Sequence, residues 1–382
     1  MSMSATISQI SVSVSVSVSG LLRRLVIDAR VAPAAAAGHV GKAGSAFVGA
    51  AGTLPRREAS IDTLFDLASV SKPVVACTLQ RLASRGVLAL DAPLGAVLPE
   101  ARGTPSERLP LELFLAHRAG LEAHRSLFAP VFAGRTLRRA DALRVAASAR
   151  RPECSGAPAA VGFAPLYSDL GYVLIGAAIE AATKCELDEV VAREVAEPLG
   201  LKLGSARQLR KRYPAFADDV APTEIVLSRG GCVSGIVHDE NAWALSGHGT
   251  SGHAGLFGTV TDVLGFGAAL LEALAGDSTW LDQEALWTLV KPRAGGTLRA
   301  GFDGKSSAAS SAGTLSSPET FGHLGFTGTS LWCDPTAGAA CVLLTNRVHP
   351  TRDNPAIRSA RPEVHDALFA ASKALLPAPP NP

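Results

Sequence analysis

The stretch LASVSKPVV, residues 67–75, sets one lysine three positions after a serine and directly ahead of a proline. Residues three apart on a helix are surface neighbours, so a serine opening the first turn has the ammonium of Lys72 beside its hydroxyl. Proline then falls in that turn, where it is tolerated. Two readings fit: a nucleophilic serine with a basic partner, or an ordinary helix start with Ser69 as N-cap and Lys72 in solvent. The segment runs on as ACTLQRLASRG, which predicts a helix burying Val74, Val75, Leu79 and Leu82 and stopping at Gly86.

Working outward, LLRRLVIDARV from Leu21 suits an amphipathic helix, and AAAAGHV followed by SAFVGAAG suits a hairpin whose glycines supply the turn. Ala/Leu-rich, helix-like sequence then extends to about residue 295. Strand signals return as TSLWCD and AACVLLTN around the turn Pro335 to Gly338, and a final helix is expected over about Arg361 to Leu375. The expected fold is therefore α+β: an antiparallel sheet flanked by helices and built from both chain ends, about 20–68 and 296–375, with a mainly helical lobe, about 69–295, inserted between them. Together these make one domain, residues 20–375. The tract SVSVSVSVS, residues 11–19, reads as low complexity and places 1–19 outside the fold. Residues 305–317 read as a Ser-rich loop and LPAPPNP, 376–382, as a frayed tail.

A net charge of +2 over 382 residues gives no field suited to nucleic acid, and the basic run RQLRKR from Arg207 reads as a solvated face. The best candidate for a membrane span, around LGYVLIGAAIEAA, is interrupted by Asp169 and Glu180. Six scattered cysteines without CxxC spacing indicate buried free thiols in preference to zinc or a disulfide framework. The first arginines, Arg23 and Arg24, follow the apolar tract instead of preceding it, which predicts a cytoplasmic protein.

A serine nucleophile needs a base, an oxyanion hole and a proton donor for the leaving group. Lys72 fills the first role if burial lowers its pKa, and Tyr167, in the motif YSD, can share that proton. The alternative for Tyr167 is an aromatic packing residue ahead of a helix. In GHLGFTGTSLW, residues 322–332, Gly325 leaves room for a ligand backbone against an edge strand. The backbone N–H groups of Ser69 and Phe326 are the natural oxyanion donors, and His323 is placed to hold a substrate carboxylate or carbonyl, unless it is a turn histidine without a role.

Taken in order, S-x-x-K opening a helix, Y-S-D before another and H-x-G on a late strand resemble the serine hydrolases of the class C beta-lactamase and penicillin-binding-protein type. FDLASVSKPVV, LAHRAGL, YSDLGYVLIG, VHDENAWAL, SGHAGLFGTVTDV and GHLGFTGTSLWCDP are similar to segments of that family, so the resemblance spans nearly the whole chain. It implies Ser69 as the acylated nucleophile, Lys72 as its partner, Tyr167 as the proton carrier, and His323 and Gly325 as the ends of the third motif. Members that cleave penicillins well carry lysine, threonine and glycine there, and asparagine where this chain has Asp169. With His323, Leu324 and Asp169 in those places, recognition of a carboxylate-bearing lactam or peptide should weaken. The resemblance thus points to the family's esterases, with beta-lactamase or D-alanyl-D-alanine carboxypeptidase activity as the alternative.

The expected partner is a small-molecule ester, amide or lactam, cleaved through a Ser69 acyl-enzyme without metal or organic cofactor. His238, Asp239 and Glu240, with His248 and His253 nearby, are metal-ligand types, but HGTSGH lacks the HExxH spacing. No G-x-S-x-G elbow or phosphate-binding P-loop occurs. A protein retaining the fold as a non-catalytic acyl-binding or scaffold module is the reading from another class, against which the three intact motifs argue.

Overall fold

The computed structural model describes residues 18–41 and 46–374. The tract up to Ser17 and the tail from 375 lie outside the described residues. Val18 and Ser19 lie inside: Val18 is buried beside Leu22, and Ser19 Oγ accepts from Ala50 N at 3.2 Å, so the packed fold takes in the end of the tract.

Helix α1 (18–28) precedes the hairpin β1 (Ala34–Val40) and β2 (Ala46–Gly52). The short strand β3 (Phe65–Asp66) leads into α2 (Ser71–Ser84). Next come α3 (Asp169–Thr183), β4 (Gly204–Ser205), α4 (Glu240–Ser246), β5 (Leu256–Gly258) and α5 (Val260–Ala275). Strands β6 (Asp303–Gly304), β7 (Phe321–Leu324), β8 (Ser330–Asp334) and β9 (Ala339–Thr345), then α6 (Ile357–Ala374), complete the chain.

The main sheet is antiparallel, in the order β2-β1-β9-β8-β7-β6, so both chain ends meet at its centre with Ala36 opposite Leu344. The central strands β1 and β9 are buried throughout because helices cover both faces. Side chains alternate across a pleated strand, and the two cores divide accordingly. Ala34, Ala36, Val342 and Leu344 pack with Val74 and Leu264 on one side. Ala35, Ala37, Cys341 and Leu343 pack with Leu22, Val26, Val364 and Leu368 on the other. Gly38 is required where α5 crosses, since a Cβ there would lie 2.6 Å from Val48 and 2.7 Å from Leu264.

Two expected boundaries shift. Helix α5 lies against the sheet, with Gly267 facing Ala340 and Leu331, so it belongs with the strands although it precedes residue 295. Helix α6 begins at Ile357, four residues before Arg361, and carries Pro362 inside it. A proline there forfeits one backbone bond, which the burial of Ile357, Ala360, Val364 and Leu368 outweighs.

Candidate active site

Strand β3 delivers the chain to a short turn, Ala68–Val70, that sets Ser69 two residues ahead of the first residue of α2. Ala68 has φ of +47°, a left-handed conformation costly for a residue with a Cβ. It is braced at both ends. Asp66 Oδ1 accepts from Ala68 N at 2.8 Å, and Thr327 and Thr329 donate to the carbonyls of Asp66 and Leu67 at 2.7 and 2.9 Å. Ser69 makes no N-cap bond; the half-buried side chain faces a cavity of about 690 Å³.

Lys72 is fully buried on α2, and its ammonium donates to Ser69 Oγ at 2.8 Å, to Asp169 Oδ1 at 2.7 Å and to the carbonyl of His253 at 3.3 Å. Tyr167 packs beside Lys72 and Ser69, with Lys72 Nζ 4.8 Å from its ring centre and its hydroxyl sensing both. Tyr167 is fixed by His117, whose ring lies 4.7 Å away and whose Nδ1 accepts from Ser168 N at 3.0 Å. The expected neighbours Ser69, Lys72 and Tyr167 are thus brought together, and Asp169 joins them.

Charge in the site differs from the expectation that Lys72 is a neutral base. Burial pushes the Lys72 pKa down, but the Asp169 carboxylate and Tyr167 outweigh it and leave the group above its ordinary value. Burial likewise pushes Asp169 up, and Lys72 and His253 overcome it to leave the carboxylate below its usual range. Tyr167 is raised by burial despite Lys72, so its hydroxyl keeps its proton at neutral pH. The starting state is a Lys72–Asp169 ion pair beside two neutral hydroxyls.

The third motif also departs from expectation. His323 is buried, its Nδ1 donates to the carbonyl of Leu324 at 2.7 Å, and burial followed by Lys72 lowers its pKa to about 3. A carbonyl can only accept, so this is a neutral imidazole with its proton on Nδ1, and it is not among the residues lining the cavity. Nor does Gly325 leave free space: a Cβ would overlap Thr329 Oγ1 and lie 2.5 Å from the Leu67 carbonyl, so the protein's own chain fills that position. The turn it opens sets Phe326 on the cavity wall, 49% exposed, with its ring stacked on His238 and under the Arg347 guanidinium at 4.5 Å.

Residues to which the sequence assigned no role complete the wall and its support. His117 stands in LAHRAGL, a segment likened to the family but given no role for its histidine. Arg347, Arg352, Arg358 and Arg361 come from the β9–α6 connection and α6, where no motif marked them. His238 and His253 are each paired with a carboxylate, to Glu224 at 3.0 Å and Asp239 at 2.8 Å. Among the described residues no group of three or more His, Cys, Asp or Glu is placed to hold a metal ion, and no helix is long and apolar enough to cross a membrane.

Known proteins share this arrangement of elements. EstCE1, a hydrolase with promiscuous acyltransferase activity, superposes with a TM-score of 0.69 at 21% identity, covering 92% of this chain and 97% of that one. A penicillin-binding protein homologue from Caulobacter crescentus gives 0.64 at 19% identity, covering 93% and 97%. At these identities the likeness is one of fold. A Salmonella agona protein named "Putative D-alanyl-D-alanine carboxypeptidase" is 29% identical over 326 residues, 78% of this chain and 73% of that protein. The family model described as Beta-lactamase matches residues 22–365, from the first buried turn of α1 into α6, and the chain belongs to that family of serine hydrolases.

Proposed function

We propose that the protein cleaves small carboxylic esters through an acyl-enzyme on Ser69. The observation that carries this reading is the 2.8 Å contact between Lys72 Nζ and Ser69 Oγ at the wall of an open cavity that Tyr167 also lines, its ring centre 4.8 Å from Nζ. Because Lys72 donates to Ser69 Oγ, the serine proton is free to point at Tyr167. As Oγ attacks the substrate carbonyl, that proton passes to the Tyr167 oxygen while Tyr167 gives its own to the departing alkoxide. Water then attacks the acyl-enzyme by the reverse route, returning the proton to Ser69. The Lys72 ammonium stabilises negative charge on both oxygens in transit, and the N–H groups of Ser69 and Phe326 are assigned to the carbonyl oxygen. The preference for esters rests on the neutral, buried His323, which leaves the third motif without its cation.

A peptidase reading has its own support. Arg347 and Arg361 line the cavity, donate to backbone carbonyls and have no ion-pair partner among the described residues, so a peptide ending in a carboxylate has cations to meet. The test compares hydrolysis of p-nitrophenyl butyrate, a chromogenic cephalosporin and a D-alanyl-D-alanine peptide by the protein and by Ser69→Ala, with intact mass recorded after mixing. Ester turnover with an adduct only when Ser69 is present supports the proposal. Release of D-alanine without ester turnover favours the peptidase, and unimpaired Ser69→Ala removes both.

A further inference from the structure

The segment VHDENAWAL and the following SGHAG have no part in the mechanism above, yet they close around Lys72. An ammonium has three N–H bonds, and Lys72 directs them at Ser69 Oγ, Asp169 Oδ1 and the carbonyl of His253. The third acceptor is held from both sides of its own ring. His253 Nε2 meets Asp239 Oδ1 at 2.8 Å and Nδ1 meets Ser251 Oγ at 3.2 Å, with the imidazole 1% exposed. Asp239 is fixed in turn as the N-cap of α4, accepting from Ala242 N at 2.8 Å. The loop that carries His253 is pressed onto α3, the helix that carries Asp169. A Cβ on Gly252 would overlap the Tyr172 carbonyl, and one on Gly176 would lie 2.8 Å from Gly252 N.

We infer that Asp239 and His253 form a positioning pair for Lys72, fixing the carbonyl that completes its hydrogen bonds and adding a second carboxylate beside the Lys72–Asp169 ion pair. The inference rests on the Ser69 reading. The pair acts on direction, because with three acceptors in place the ammonium cannot swing away from Ser69 Oγ, and a bound substrate meets the hydroxyl already oriented. Asp239 and Lys72 also sense each other's charge, since Lys72 joins His253 in overcoming burial and holding the Asp239 carboxyl far below its usual range. The groups facing Lys72 are Tyr167 just ahead of α3, Asp169 at its start and Tyr172 on it with its ring centre 5.6 Å from Nζ, then His117, His323 on β7, and His253 with Asp239 at the N-cap of α4. Of these, Asp239 is the acid that can be neutralised without touching Ser69, Tyr167 or Asp169.

Asp239→Asn keeps an acceptor for the α4 cap and removes the charge. The experiment measures kcat and KM for p-nitrophenyl butyrate between about pH 6 and pH 10, with thermal melting to check the fold. The rate of Ser69 labelling by a fluorophosphonate, followed by intact mass, reads the nucleophile whatever the natural substrate; there Oγ displaces fluoride from phosphorus. Asp239→Asn should lower kcat and the labelling rate on the order of 10²-fold with KM little changed. Its basic limb should move to lower pH, because Lys72 loses a neighbouring negative charge and deprotonates earlier. Asp239→Glu should recover part of the rate, and His253→Asn should reproduce the loss; where Asp239→Asn melts below the assay temperature, His253→Asn is read in its place. Parental rates with an unmoved basic limb, or a loss confined to KM, overturn the inference. Ser69→Ala run in parallel separates the two failures: an active Ser69→Ala sinks the nucleophile assignment, whereas a silent one beside a parental Asp239→Asn sinks only the positioning pair.

Discussion

Lys72 has no solvent exposure, so its charge is tolerable only because carboxylate and carbonyl oxygens surround it. Asp169 supplies the counter-charge, with Oδ1 2.7 Å from Lys72 Nζ. Asp169→Asn should therefore keep a hydrogen bond to Lys72, lower its pKa and draw the basic limb of the rate profile to lower pH; a profile matching the parent's would show that Asp169 does not set the charge of Lys72. Tyr167→Phe removes the proposed proton carrier but keeps the ring against His117, so folding should survive while kcat falls about 10²–10⁴-fold, as steady-state kinetics would register. The spacing of S-x-x-K made the Ser69–Lys72 contact legible, although Ser69 sits in the turn ahead of α2 and not on the helix. The protonation state of Lys72 was not legible, since it depends on Asp169 and Tyr167, roughly a hundred positions away.

Elements matter here through where they pinch one another. The turn after β7 reaches the cavity because Thr327 and Thr329 tie it to the carbonyls leading into Ser69 and because Arg361 of α6 donates to the carbonyl of Gly325 at 2.6 Å. That one turn couples Ser69, the proposed oxyanion donor Phe326 and the last helix. Gly325→Ala drives a methyl into Thr329 and Leu67, so the turn has to move away from Ser69. The variant should fold, since the sheet core lies elsewhere, yet lose on the order of 10²-fold in kcat or more as the donors leave the oxyanion position. Full activity in Gly325→Ala would detach this turn from the chemistry. The runs AAAAGHV and SAFVGAAG announced the hairpin, and TSLWCD and AACVLLTN around the turn Pro335 to Gly338 the late strands, while the expected hairpin turn at 42–45 lies outside the described residues. The assignment of α5 to the sheet, and the burial of His323, follow from crossings between distant segments that no local pattern records.

At the scale of the whole molecule the fold carries four imidazoles that resist protonation. His39 is lowered to about 4, and His117, His323 and His365 to about 3, by burial first in each case and then, for the last three, by nearby Lys72 or Arg361. In the unfolded chain each titrates near its ordinary value of about 6.5. A depressed histidine makes the unfolded state the better proton acceptor below that pH, so its contribution to stability is complete above about 6.5 and is lost as pH falls towards the folded value. Asp66, Glu180, Glu272 and Asp303, raised by burial, work in the opposite direction, and Glu224, lowered to about 2, adds a loss only below the carboxylate range. Between about pH 6.5 and 4.5 the four histidines, each lowered to about 4 or about 3, pull the melting temperature down as the pH falls. His39 offers a clean probe because it stands apart from the cavity, stacked on Phe47 with neither ring nitrogen hydrogen-bonded. His39→Leu removes one titrating group, so its melting temperature should decline less steeply with acid than the parent's, whatever its value at neutral pH. Equal slopes for the two proteins would mean that His39 is protonated in the folded state and that its burial is relieved before it titrates.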